Sequence, residues 1–261
     1  MNLRRVNTVL LHTWYHFTHS METWVDMFWN SALQVILFAF LAKAVLGRGN
    51  DELGIAMLLG VVLWNFIWGA QYGVTVGVMW EIWSRSFSNL FITPLKLEEF
   101  MIGQMLSSIV KSTMSFGVTF FVAWLIYDFS LAPLGWMLLL YCAELLIFGW
   151  GVGFGVLSLI FRYGQQVHAM SWALVFLVQP FGAVFYPVST LPVAIQWVAY
   201  LFPTGYIFEA IRAHMSTGGI QWDLLLYGTG VNVAWFVGGV LLLIWSFRQV
   251  KESGAFARME Q

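Results

Sequence analysis

Trp80-Glu81-Ile82-Trp83-Ser84-Arg85-Ser86-Phe87-Ser88-Asn89-Leu90-Phe91-Ile92-Thr93-Pro94-Leu95 is a polar, amphipathic break in a chain that is otherwise apolar for long stretches. Apolar runs of about twenty residues or more flank it, and a bilayer core of about 30 Å needs roughly twenty apolar residues per helical crossing. The sequence therefore predicts an all-α membrane protein with this break held outside the lipid. Working outward, six crossings are expected, at residues 24–45, 54–79, 100–127, 134–161, 168–186 and 224–247. The connections are short, apart from the break and residues 187–222.

Composition agrees with that frame. Of 261 residues, 60% are hydrophobic and 10% charged, against about 25% charged in soluble domains, which excludes a sizeable water-exposed domain. A net charge of -1 gives no footing for nucleic acid. Many of the 15 Trp and 23 Phe sit near the ends of the apolar runs, where interfacial belts form. Cys142 is the single cysteine, so no internal disulfide forms. Residues 1–22 lack a continuous apolar core and a small-residue cleavage site, and are not read as a cleavable signal. Val6, Leu10, Trp14, Phe17 and Met21 recur at helical spacing there, which predicts an interfacial helix lying along the membrane.

Lysine and arginine set the orientation. With the N-terminus inside, Arg4, Arg5, Arg85, Lys96, Arg162, Arg248, Lys251 and Arg258 are cytoplasmic, while Arg48, Arg212 and Lys43 fall toward the other side. That bias puts both termini and the 80–99 break in the cytoplasm. The fifth run ends irregularly. After Pro180 comes Phe181-Gly182-Ala183-Val184-Phe185-Tyr186-Pro187-Val188-Ser189-Thr190-Leu191-Pro192, then an apolar stretch, Pro203 and Gly205. Irregular backbone at membrane depth survives only when buried in protein or lining a wet cavity. Two short half-helices dipping into the outer leaflet are expected.

Charges inside apolar runs cost roughly 2.5–3.5 kcal/mol each at a helix centre on insertion scales. Asp26, Lys43, Lys111 and Glu144 are the candidates. A Lys111–Glu144 pair between adjacent crossings would satisfy both, with a proton relay or substrate contact as competing readings. His12, His16 and His19 share a helix face but have no nearby carboxylate or thiolate in sequence, so no metal site is expected. Gly151 and Gly155 in the fourth crossing suit close helix packing or a mild kink. Trp64, Phe66, Trp68 and Tyr72 lie inside the second crossing and would suit a ring-lined conduit, although core or interfacial aromatics need no such role.

Two stretches together resemble the ABC-2 family of exporter permeases, the membrane half of type V ATP-binding-cassette transporters. One is Arg85, Phe87, Asn89-Leu90, Thr93-Pro94-Leu95 and Gly103, similar to the family's coupling region. The other is Gly182, Val184-Phe185-Tyr186-Pro187, Leu191-Pro192, Trp197, Leu201-Phe202-Pro203, Tyr206 and Glu209-Ala210-Ile211-Arg212, similar to its hairpin. Phe202 departs from the Asn that the family often places before this proline.

The resemblance covers nearly the whole chain and implies one transmembrane domain over 1–261. Its parts are an interfacial helix at 1–22, a coupling helix at 80–98 and a re-entrant hairpin at 180–212 between the fifth and sixth crossings. It implies coupling through Glu81, Trp83, Arg85, Phe87, Asn89, Leu90 and Pro94, with Trp83, Phe87 and Leu90 as anchors and Arg85 and Glu81 at the rim. It implies an outer gate at Phe185, Tyr186, Pro187, Leu191, Pro192 and Pro203, and a path including Asn30 and Gln34. No GxxxxGK[ST] phosphate loop occurs, so ATP and Mg are expected on a separate cytoplasmic nucleotide-binding subunit. The implied assembly is a homodimer in the bacterial inner membrane, exporting drugs, lipid-linked glycans, lipo-oligosaccharides or glycolipids. A passive channel or secondary transporter, and an intramembrane lipid-modifying enzyme, are the alternatives. Nucleotide dependence of transport separates them.

Overall fold

The computed structural model describes residues 2–46, 51–167 and 169–253. Arg48, His168 and Arg258 fall outside the described residues, as do the side chains of Asp26 and Asn30. Among the described residues there is no strand. The chain forms α1 (Leu3–His19), α2 (Met21–Trp24), a π-helical turn (Val25–Trp29), α3 (Asn30–Leu46) and α4 (Asp51–Trp83). Next come α5 (Phe87–Leu90), α6 (Leu97–Tyr127), α7 (Met137–Tyr163), α8 (Met170–Phe176) and α9 (Val178–Phe181). The last three are α10 (Val193–Ala199), α11 (Pro203–Thr217) and α12 (Trp222–Ser253).

Among the described residues, four helices are long and apolar enough to cross a membrane, within α4, α6, α7 and α12. They correspond to the second, third, fourth and sixth expected crossings. The 33 residues of α4 span roughly 50 Å at 1.5 Å per residue, so its ends project beyond a bilayer core. The other two expected crossings take a different form. Residues 21–46 are divided by the π-helical turn, which leaves Ser31–Ala44 as the apolar helix. Residues 170–181 are split into α8 and α9, and the chain then turns at Ala183, whose φ is 50°. Pro180 lacks an N–H and crowds the preceding turn, which ends helical continuation there.

The α4–α6 contact is a close seam. Asn65, Gly69, Gly73 and Gly77 recur every four residues on α4 and meet Ser115, Ser112, Ser108 and Gln104 of α6 in reverse order. The two helices are therefore antiparallel, with backbones close together. A Cβ on Gly73 would lie 3.0 Å from Ser108 Cα. Small residues at this spacing drive association where lipid removes the hydrophobic incentive. The serines also bind neighbours: Trp150 Nε1 donates to Ser108 Oγ at 2.8 Å. Ser115 Oγ donates to Asn65 Oδ1 at 3.1 Å and lies 2.9 Å from Ser31 Oγ. One seam thus ties α3, α4, α6 and α7 together.

In α7 the glycines alternate faces. Gly149 packs on Ile67 and Ala70 of α4, whereas Gly151 packs on Trp235, Phe236 and Gly239 of α12. Gly155 meets nothing within 4 Å, so of the expected Gly151–Gly155 pair only Gly151 makes a close helix contact. The N-terminal stripe is shifted as well. Val6, Val9, Thr13 and Phe17 are the buried positions of α1, while Trp14 and Met21 are exposed. Asn2 lies at Glu99, Val9 at Gly103 and Phe17 at Lys111, so α1 runs alongside the first half of α6 in the same direction.

The seam yields a clear test. Gly73→Val forces a branched side chain into Ser108, and overpacking of this kind costs about 1–3 kcal/mol. Thermal unfolding in nanodiscs should show a lowered midpoint, partly restored by adding Ser108→Gly. Gly117→Ala, with open space around its Cβ site inside α6, should not lower the midpoint.

Candidate functional site

The polar break is built on the end of α4. Glu81 is buried, at 5% exposure. Its Oε2 accepts from Ser86 Oγ at 2.5 Å, and its carbonyl accepts from the Ser86 N–H at 2.9 Å. Between them Arg85 takes φ 56°, which reverses the chain. His12 Nδ1 of α1 lies 3.2 Å from Glu81 Oε1. On the far side of the break, Arg5 Nη1 donates to the Pro94 carbonyl at 2.5 Å and lies 3.4 Å from Glu99 Oε2. The Asn2 N–H donates to Glu99 Oε1 at 2.7 Å, and the Lys96 N–H to Glu99 Oε2 at 3.2 Å. Helix α1 therefore holds both feet of the turn.

The expected anchors divide into two groups. Phe87 is 1% exposed and sits among the rings of Phe91, Phe100 and Phe161. Neither Phe87 nor Glu81 presents a surface. Trp83 is half-buried against Trp80, and Leu90 is half-buried. Arg85, Asn89 and Pro94 are exposed, and so is Ile92 at 82%. Ile92 was not singled out from sequence, because one apolar residue in an amphipathic stretch carries no marker of which way it faces.

The hairpin region is held by a clamp. Glu209 Oε1 accepts from the Val188 N–H at 2.6 Å and from Arg212 Nη2 at 3.2 Å. The same Nη2 donates to the Ala183 carbonyl at 3.1 Å. These two α11 side chains bracket the turn that carries Phe185, Tyr186 and Pro187. Phe185 is buried and stacks on Phe38 of α3, with centroids 4.3 Å apart. The Tyr186 hydroxyl donates to the Pro180 carbonyl. Pro192 precedes α10, Leu191 packs beside Ala183, Val188 and Ala199, and Pro203 opens α11.

The structure does not bring Lys111 and Glu144 together. Glu144 accepts from Thr229 Oγ1 at 2.8 Å and from Asn232 Nδ2 at 2.6 Å, both on α12. Lys111 instead faces α1, its Nζ 5.6 Å from the centre of the Phe17 ring. Two neutral donors satisfy the carboxylate, so no cation is needed beside it. The candidate path residues also separate. Trp64 and Trp68 share Phe176 of α8, Phe66 faces Phe116 of α6, and Tyr72 borders the cavity beside Lys111. All four are buried within the chain, and Gln34 is half-buried on α3. The three N-terminal imidazoles have three partners: His12 has Glu81, His16 lies on Trp80 at 4.7 Å, and His19 stacks on Tyr15 at 4.1 Å.

A multi-pass helical membrane protein with a pinned polar turn between two long helices is the class these features define. The family model described as ABC-2 type transporter matches residues 9–215, and the chain belongs to that family. It is accordingly a transporter's permease subunit, a transmembrane component that is not itself an ATPase, in a family that works with an ATP-binding subunit. No curated protein matches the sequence.

Two expectations follow. His12 is raised above the ordinary imidazole value by its hydrogen bond to Glu81, with burial opposing, whereas burial lowers His16. The His12–Glu81 link therefore contributes fully below about pH 6.5 and is lost as pH rises through the raised value. The midpoint difference between wild type and His12→Gln should shrink toward alkaline pH. It should be modest, because the His12 side chain is 57% exposed. Separately, Glu144→Gln and Asn232→Leu should be non-additive by about 0.5 kcal/mol or more, while Glu144→Gln and Lys111→Met should add within about 0.5 kcal/mol.

Proposed function

We propose that the chain is the membrane subunit of an ATP-binding-cassette exporter, working as a homodimer with two copies of a separate cytoplasmic ATPase that carries ATP and Mg. In this reading residues 24–45 and 168–186 complete six crossings, both termini are cytoplasmic, and the host is the bacterial inner membrane. The cargo is amphipathic: a lipid-linked glycan, lipo-oligosaccharide, glycolipid or drug. Residues 180–212 form the outer gate, and α3 with Asn30 and Gln34 borders the path.

The pinning of the 84–96 turn to α1, α4 and α6 is the observation that carries this reading. Transmission of work needs a rigid lever rather than a floppy loop. A push on Arg85, Asn89 or Ile92 meets Ser86 on Glu81, Glu81 on His12, and Pro94 on Arg5. Phe87 and Glu81 are then the root of the lever rather than its contact points. The exposed residues supply the spaced contacts by which an amphipathic segment is gripped in a partner's groove.

The deciding experiment is co-purification with the ATPase subunit, followed by measurement of its ATPase rate with and without the permease in proteoliposomes. Stimulation is expected. Arg85→Ala and Ile92→Asp should each cut it severalfold while the complex still assembles. Cargo movement without nucleotide, or full stimulation by both variants, would overturn the proposal.

A further inference from the structure

A groove of about 750 Å³ lies between α7 and α12, with α8 and α9 along one side. Its lining residues are all apolar, and the one side-chain donor among them, Trp235 Nε1, is spent on the Leu201 carbonyl at 2.9 Å. Glycines keep it open. Gly155 of α7 and Gly238 of α12 line it, and a Cβ on either would enter open space. Along α12 the groove extends from Val231 to Leu242, about 16 Å at 1.5 Å per residue. That is close to half of a bilayer core of about 30 Å.

The two ends differ chemically. Toward Val231 the groove is bordered by Phe202, which stacks on Trp235 with centroids 5.7 Å apart. At the other end Arg162 follows the lining residue Leu159 by three positions, and Trp245 follows Leu242 by three. The Arg162 guanidinium lies over Trp245, 5.3 Å from the ring centre, and so reaches from α7 to α12. Arg162 is exposed, as is Arg248 one turn further along α12, so both keep donors open to a ligand. Neither is paired with a carboxylate of the described residues. This end also adjoins the polar turn, where Phe161 packs on Phe87 and Phe247 on Phe91, centroids 5.6 and 5.1 Å apart.

An apolar groove of one-leaflet length that ends at accessible, unpaired arginines matches a long hydrocarbon chain carrying an anionic head. The arginine fork suits phosphate oxygens. A zwitterionic head would bring an ammonium for which these arginines offer no acceptor. We propose that the groove binds one phospholipid of net negative charge from the leaflet on the polar-turn side, with an acyl chain along Gly155 and Gly238 and the phosphate on Arg162. This is a resident lipid rather than cargo, and the site does not depend on the exporter reading.

The test is native mass spectrometry of the delipidated protein in neutral detergent. The probes are dioleoyl phosphatidylglycerol, dioleoyl phosphatidylcholine and dihexanoyl phosphatidylglycerol. The first should bind at one per chain, and the other two at least about tenfold more weakly. Arg162→Gln should lose about tenfold for dioleoyl phosphatidylglycerol and leave phosphatidylcholine unchanged, a difference that general loss of structure would not produce. Gly155→Leu places a side chain in the open groove and should abolish binding of both dioleoyl lipids, with the thermal midpoint confirming that the protein is folded. Equal binding of dioleoyl phosphatidylglycerol and phosphatidylcholine would overturn the assignment to an anionic head. Equal binding of the long-chain and short-chain phosphatidylglycerols, or binding unaltered by Arg162→Gln or by Gly155→Leu, would overturn the site. A dimer dissociated by Gly155→Leu while lipid binding persists would make the groove a contact between two copies of the chain, and the proposal would fall.

Discussion

Close approach of α4 and α6 is the constraint from which the rest of the structure follows. In lipid, apolar side chains gain nothing by leaving the hydrocarbon for one another, so helices associate through contact and hydrogen bonds. Gly69, Gly73 and Gly77 remove the side chains that would hold the backbones apart, and Ser112, Ser108 and Gln104 fill the space. The same serines are then near enough to serve other helices, Ser108 to Trp150 and Ser115 to Asn65 and Ser31. A larger residue on either side would loosen four helices at once. With α4 and α6 fixed in this register, the ends that carry the polar turn are fixed too.

That register gives the turn its rigidity. Glu81 lies in the last turn of α4 and Glu99 in the first turn of α6, and α1 with its cap Asn2 reaches both through His12, Arg5 and Asn2. The N-terminal helix is thus a brace for the polar turn. At the other end of α4, Glu209 and Arg212 perform a similar service for the 183–188 turn. The two ends share a design: an irregular segment is held by polar and charged side chains from a neighbouring helix, which take up backbone groups that the segment's own hydrogen bonds leave over.

Much of the fold was legible in the chain. The long apolar runs located α4, α6, α7 and α12, and the polar break between α4 and α6 was read in its place. The residues of the break were identified, but not their directions. Phe87 reads as an anchor for a partner because it is aromatic in an amphipathic stretch, yet it is claimed by Phe91, Phe100 and Phe161 from the chain itself. The α1 stripe was offset for a similar reason: several apolar residues crowd each turn, and the neighbour that packs against them selects the face. Glu209 and Arg212 show no role in the sequence alone, since a clamp is visible only once the turn it holds is folded over it.

By itself, the sequence determined that the chain lives in lipid, where four long helices run and where the polar interruption falls. Each of these depends on composition and spacing along a single segment. Only the tertiary structure decided who pairs with whom. Glu144 finds Thr229 and Asn232, 85 and 88 residues away, and Lys111 faces α1 rather than the carboxylate that seemed its natural partner. The physical reason is that a buried charge demands satisfaction without specifying its source. Neutral donors can occupy a carboxyl's oxygens as an ion-pair partner would, and the packing of helices determines which donors are within reach.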